Sequence, residues 1–454
     1  MKKLRWKIYF IRLLLGLIMF TLYILIGYLY HVSISPANLY LGFTHRSLDV
    51  IEFTVSVMFF IAPVMILPLY SKRPSDYTVW ALYLFSYAPT ALLSVHIINR
   101  GLTDIISLLL MLLTAFFLFF YSRLVVVRIL PKIKINFERI DILFIFLLFI
   151  IVPLYVWSLI GYKPSLDMLT IYVRRLAARE TFVSKSIAAY ILCFARQCML
   201  LIGVYLGVTK KKPYYLVMTA ILAIGLFSID GTKTSIIIPC VLGVLAWLLV
   251  TNPNRNVLFL PTSLLIVGFI GLAEFVFIHT DLVNDYIVRR IFIVPGALNS
   301  FYWDFFSMNP KGMLTDSIFS KFLTPVYDVP LTFVIGREYL HNIQSNANTG
   351  IWMGGYAHFG ILGVFAASAI GGFIVGLIDR LSKSGLYVFG CLVCFLIGIT
   401  WSEQMLHTSM LTGGIIFYII ILLFINISPR LRKFWVYPSD RMCDSIKLNE
   451  KSTK

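Results

Sequence analysis

Charge is scarce in this chain: only 13% of its 454 side chains are Asp, Glu, Lys or Arg, and the acidic ones number 21. Soluble domains carry about twice that charged fraction, and their apolar share is usually nearer half, whereas here it is 59%. A soluble globule is excluded. Cysteine is almost as uninformative as charge. Of six cysteines, Cys193, Cys198, Cys240, Cys391 and Cys394 lie in apolar runs and Cys443 near the end, so no disulfide framework is indicated. The seven histidines form no His-x-x-x-His pair and no Cys/His cluster, and no Asp-x-Asp opens a loop, which argues against a dedicated metal site. A phosphate-binding glycine loop with its lysine and a nucleophile elbow are also missing. No internal repeat, soluble domain or low-complexity tract interrupts the chain.

What is present is one apolar run after another. Runs of about 17 to 25 residues, long enough to cross a hydrocarbon core, predict an all-α polytopic membrane protein of about twelve transmembrane helices. They cover approximately residues 8–30, 51–70, 77–98, 104–122, 141–161, 186–207, 214–229, 234–250, 258–279, 356–378, 385–401 and 410–428. The basic amino end followed by an apolar run with no small-residue cleavage site reads as an uncleaved first span. Residues 1–454 are thus expected to form a single transmembrane domain, with a cytoplasmic tail at 429–454.

The net charge of +18 would suggest nucleic acid in a soluble domain, but in a membrane chain the position of each cation decides its meaning. With twelve spans, one side collects 24 of the 39 lysines and arginines and the other 13, while Arg12 and Arg196 fall inside spans. The positive-inside rule puts the richer side, and both termini, in the cytoplasm. Nucleic acid is therefore not an expected partner. The opposite face receives a large loop at 280–350 and a smaller one at 162–185. Irregular polar backbone is tolerated by a bilayer protein only outside the hydrocarbon or along a cavity, so the large loop is the natural seat of function. It is expected to contain short helices: an amphipathic one over 281–293, a break at Pro295-Gly296, and an interfacial aromatic patch at Phe301–Phe306.

Several residues on that face are candidates, each with a plainer reading. Arg289 and Arg290 suit bidentate phosphate recognition, or they snorkel to lipid phosphate. Arg174 and Arg175, which share a helical face with Arg179 in the smaller loop, would meet an anion or anchor to headgroups. Lys233, in the tight turn Asp230-Gly-Thr-Lys233, is either a pinned cation or part of a capped hairpin. Arg337 adds a further cation. His358, in Gly-Tyr-Ala-His-Phe-Gly, has an unperturbed pKa suited to a general base, or is a helix-end histidine hydrogen-bonded to backbone. Asn346 and Asn348 bind sugar hydroxyls or cap a turn. Glu274, an intramembrane charge, faces the same cavity or is paired; Arg196 pairs structurally; Glu403 is a second-choice base.

Three segments then carry a family resemblance. Gly231-Thr-Lys233-Thr-Ser-Ile between two spans, the arginine-bearing loop, and Asn346-Ala-Asn-Thr-Gly-Ile with Tyr356-Ala-His-Phe-Gly-Ile-Leu-Gly363 resemble the O-antigen polymerases of the Wzy type. More distantly they resemble the O-antigen ligases. Most members of the family have arginine where this chain has Lys233. The resemblance implies a bacterial inner-membrane glycosyltransferase with no cofactor and no metal, whose site faces the periplasm. It would transfer a nascent glycan from undecaprenyl pyrophosphate to a new lipid-linked repeat unit. Its implied partners are undecaprenyl-pyrophosphate-linked oligosaccharides, membrane lipid and a chain-length regulator protein. The implied roles are His358, Arg290 and Arg289 as catalytic residues and Lys233, Arg337, Asn346, Asn348, Arg174, Arg175 and Glu274 as substrate-binding ones. A ligase, or a flippase for lipid-linked oligosaccharide, is the competing reading.

Overall fold

A computed structural model describes residues 2–129, 192–252, 257–315, 322–382 and 386–424, with parts of 165–178. The expected span at 141–161, Arg179 and the tail at 429–454 lie outside the described residues. Among the described residues every regular element is helical. Eight helices are long and apolar enough to cross a membrane, and three shorter apolar ones, Val50–Met65, Pro213–Ile229 and Tyr387–Glu403, accompany them. Each overlies one of the apolar runs read from the sequence. The architecture is that of a polytopic helical membrane protein.

The chain divides into two compact units. The first comprises residues 1–129, 256–377 and 394–409, and the second 130–255, 378–393 and 410–454. The first unit contains α1 (Lys2–Leu29), α2 (Val50–Ile61), α3 (Ser75–Leu82), α4 (Ala88–Ile97) and α5 (Leu102–Ile129). Several charged groups inside it are satisfied from within. The intramembrane Arg12 donates to the carbonyls of Val64 and Leu67, which the end of a helix leaves without partners. Buried Arg123 donates to Ser75 Oγ and pairs with Asp76 at 2.7 Å, while Asp76 also accepts the backbone N–H groups of Lys72 and Arg73. A capping box of Asp49 and Glu52 opens α2.

The second unit contains α6 (Leu200–Thr209), α7 (Pro213–Asp230) and α8 (Thr234–Thr251), which pack against one another. Gly231, in the left-handed conformation at φ +66°, ends α7. Arg196 sits in a π-helical turn, Ala195–Met199, and donates to Ser235 Oγ at 2.9 Å, the structural pairing expected for it.

The large loop differs from its reading in two ways. After α9 (Phe259–Ala273), the segment Asn284–Ile293 is π-helical and runs directly into α10 (Val294–Met308). Pro295 does not break this helix. It falls where the π-helical segment passes into α10, at the change of hydrogen-bond pattern. The aromatic patch is not interfacial either: Phe301, Tyr302, Trp303 and Phe306 are buried, because α10 packs along α4.

A larger correction concerns the span expected at 356–378. The helical stretch α12 (Ile351–Leu381) is broken at Phe359 (φ −134°, ψ 16°) and Gly360 (φ 63°, ψ −148°). In an unbroken helix Trp352 and Ser368 would be separated by roughly 24 Å. Instead the Trp352 indole donates to Ser368 Oγ at 3.0 Å, and Gly355 and Gly363 meet backbone to backbone. Residues 351–358 and 361–381 are therefore the two arms of a tight helical hairpin. The second arm, at about 1.5 Å per residue, is roughly 31 Å long and suffices to span a hydrocarbon core. The first arm reaches only about 12 Å back from the tip.

Candidate functional site

The hairpin tip is held from outside. Where the first arm stops, the carbonyls of Ala357 and His358 lose their helical partners, and the backbone N–H groups of Gly312 and Met313 take them at 2.9 and 3.3 Å. The next residue, Leu314, donates its N–H to His358 Nδ1 at 3.1 Å. Met313 and Leu314 reach this position through positive φ angles of 46° and 58°, an uncommon backbone for residues with a Cβ. His358 is thus a helix-end histidine hydrogen-bonded to backbone. Because Nδ1 accepts, the proton of the neutral ring sits on Nε2, and the ring presents a donor there.

The first arm also packs along the turn that follows α13 (Tyr387–Glu403). A Cβ on Gly350 would come within 2.6 Å of the Trp401 carbonyl and one on Gly354 within 2.5 Å of the Met405 side chain. His358 continues this row: its ring lies edge-to-face on His407, centroids 5.2 Å apart, in the short helix α14 (Leu406–Leu411). Ahead of the arm the chain is extended, so residues alternate: Ala347 and Thr349 are buried while Asn346 and Asn348 are exposed. Tyr302 donates to the Ala347 carbonyl and Thr349 to Asn299, pinning the segment on α10. The two asparagines therefore share one open face, at the base of the arm and well back from the tip.

Arg289 and Arg290 part company. Arg289 is buried and pairs with Asp285 one turn earlier, at 2.6 Å. Arg290 is exposed; burial raises the pKa of the Glu403 carboxyl, and the positive charge of Arg290 opposes that rise. Arg290 and Glu403 are thus brought into electrostatic range beside the row that carries His358.

Other expected members are committed elsewhere. The Glu274 carboxylate, expected to face a cavity, accepts from Thr280 Oγ1 (2.6 Å) and from the N–H groups of Leu282 (2.9 Å) and Val283 (2.7 Å). It is buried and caps the backbone ahead of the π-helical segment. Arg337, in α11 (Leu331–Tyr339), pairs with Asp328 at 3.1 Å and Glu338 at 3.2 Å, and these pairings raise its pKa. Lys233, Arg174 and Arg175 belong to the second unit. There Arg174 is buried and donates to the carbonyls of Ser165, Asp167, Phe227 and Ser228, so it caps the end of α7. Arg175 and Lys233 are exposed.

Sequence reading missed Lys311. Its ammonium lies 3.9 Å from the centroid of Tyr356 and donates to the Phe306 carbonyl, and its Cε is the nearest heavy atom to the Cβ position of Gly360. Burial holds it below the usual lysine pKa. Tyr356 stacks on Trp303 at 4.7 Å, and the Trp303 indole donates to Asp104. Arg100 in turn bridges Asp104 and Asp304, and Tyr339 donates to Asp304 at 2.6 Å. Nothing in the local Asn309-Pro-Lys-Gly pattern marks Lys311, because only the folded hairpin brings it to Tyr356.

Chemically, this part of the first unit offers the exposed guanidinium of Arg290, whose charge acts on Glu403, two exposed amides and the Lys311 cation at the hairpin tip, while the His358 ring is buried. Among the described residues no group of three or more His, Cys, Asp or Glu side chains is placed to hold a metal ion. No family model matches the chain, no curated protein is similar to it, and no solved structure matches it.

Proposed function

We propose that this chain is an inner-membrane glycan polymerase that transfers a growing oligosaccharide from a polyprenyl pyrophosphate to a sugar hydroxyl of a second lipid-linked unit, on the non-cytoplasmic face. The observation that carries the reading is the charge of Arg290 acting on Glu403, which ends α13 beside the helical hairpin. Both partners in such a reaction are amphiphiles, so the polar catalytic groups belong at the ends of membrane helices, where lipid-borne sugars meet water. The reacting bond joins an anomeric carbon to a pyrophosphate oxygen. As it breaks, negative charge grows on the departing pyrophosphate, and Arg290 supports that charge; Lys311 is a second cation for the same role. Glu403 takes the proton of the attacking hydroxyl, since His358, with Nδ1 engaged, acts as a hydrogen-bond donor rather than a base. Asn346 and Asn348 hold sugar hydroxyls.

In cells that lack the native copy, Arg290→Ala should lower polymer formation by about 100-fold or more. Glu403→Gln should lower it by a factor of about 100 to 10,000. Each variant should be present in the membrane at normal level. Polymer ladders of wild-type length from both would remove these two residues from the site. Single repeat units attached to the core accompany loss of a polymerase, whereas complete loss of attached glycan would mark a ligase instead.

A further inference from the structure

At the outer end of α1, three histidines distant in sequence form a column. His31, His45 and His96 come from the end of α1, the loop before α2 and the end of α4. The first two rings are 4.0 Å apart, with their Nδ1 atoms at 3.1 Å, and the second and third stack at 4.6 Å. Exposure falls along the column, from exposed His31 through half-buried His45 to buried His96. Beside it lies a cavity of about 240 Å³ with two kinds of wall. Tyr23, Ile24, Gly27 and Tyr28 of α1, with Phe53 and Leu92, make the apolar wall; His45, Arg46, Ser47 and His96 make the polar end. Ile24 and Tyr28 are exposed, and no atom lies within 4 Å of the Cβ position of Gly27, so the apolar wall opens sideways from α1.

The charged groups around the column are few. Arg46 donates Nε to the Val95 carbonyl and both terminal nitrogens to Glu52, at 2.7 to 3.1 Å. Three of its five N–H donors are thereby used, and two are left. Glu52 is neutralised by that pair, and Asp49 is occupied in capping α2. His96 Nδ1 donates to the Arg46 carbonyl, and the Tyr30 ring packs on His45 and His96 while its hydroxyl donates to the Thr44 carbonyl. A third carboxylate, Asp281, accepts from Ser33 Oγ in the turn that carries His31.

We propose that this recess binds the headgroup of an anionic lipid, its phosphate on Arg46 and His45 and its chain along the Tyr23–Tyr28 face of α1. An apolar wall ending in a guanidinium with spare donors matches an amphiphile, and guanidinium is the side chain best suited to phosphate. Binding is proton-linked. Burial and the neighbouring His31 hold His45 below the ordinary histidine pKa. An adjacent phosphate would raise it, so binding takes up a proton and strengthens as the pH falls.

Native mass spectrometry of the lipid-stripped full chain tests this, with phosphatidylglycerol, phosphatidylcholine and inorganic phosphate as separate probes. Phosphatidylglycerol should be retained at least tenfold better than phosphatidylcholine. The preference should grow between pH 7.5 and 5.5, by at most about tenfold per pH unit for one linked proton. Gly27→Phe, which fills the open wall, should abolish the preference, and His45→Gln should flatten its pH dependence. Equal retention of the two lipids overturns the proposal. So does a Gly27→Phe protein that melts like the wild type and keeps the preference, or displacement of the lipid by an equal concentration of inorganic phosphate.

Discussion

Replacing Gly360 by alanine separates a hairpin from a continuous helix by the sign of the effect. At φ 63° and ψ −148° the residue lies in a region that is essentially glycine-only. The added methyl would meet only Lys311 Cε, at 3.6 Å, an ordinary contact, so sterics with neighbours contribute nothing. The whole penalty is backbone strain, about 1–3 kcal/mol. If the tip relaxes to avoid it, the hydrogen bonds from Gly312 and Met313 to the Ala357 and His358 carbonyls are lost instead, at about 1 kcal/mol each. Were residues 351–381 one straight helix, the same change would stabilise by roughly 0.5–1 kcal/mol, as alanine does for glycine in any helix interior. Gly225→Ala, inside α7 with no atom within 4 Å of its Cβ position, is the control and should stabilise by that amount. Thermal unfolding in detergent, followed by reaction of a fluorogenic maleimide with the buried Cys394, reads both variants on one scale. A Gly360→Ala protein that melts at or above the wild type would refute the hairpin.

Other residues give predictions of different kinds. Asp76→Ala leaves Arg123 charged and buried without its partner and should cost about 3–5 kcal/mol in the same melt, whereas Arg337→Ala, which breaks only exposed pairs, should melt with the wild type. Arg289→Ala removes an ion pair with Asp285 and should reduce stability with little effect on product per folded molecule; Arg290→Ala should do the reverse. Lys233→Arg should retain activity within about threefold if the position acts through charge, and turnover measured on normalised membranes checks it.

The spans were legible because the bilayer demands long apolar runs and little else satisfies that demand. The hairpin was not legible. Residues 351–378 are almost entirely apolar, and Gly360 resembles every other glycine in a membrane helix until its backbone angles are seen. The candidate residues were found by type but not by allegiance. Arg289 and Arg290 look alike in sequence, yet one turns back to Asp285 while the charge of the other acts on Glu403 of a different helix. Glu274 and Arg174 stood out as charges in or near apolar segments, and both complete backbone hydrogen bonding. A charge in a membrane chain marks either chemistry or an unsatisfied backbone, and the distinction lies in contacts made far along the chain.

The central claim is glycosyl transfer between two lipid-borne substrates at Arg290 and Glu403, and product analysis of the purified protein tests it most directly. Incubated in detergent with polyprenyl-pyrophosphate-linked repeat units, the wild type should yield lipid-linked chains extended by whole repeats and one free polyprenyl pyrophosphate per transfer, and Glu403→Gln should yield neither. Substrates recovered intact by mass spectrometry, or extended equally by both proteins, would contradict the account.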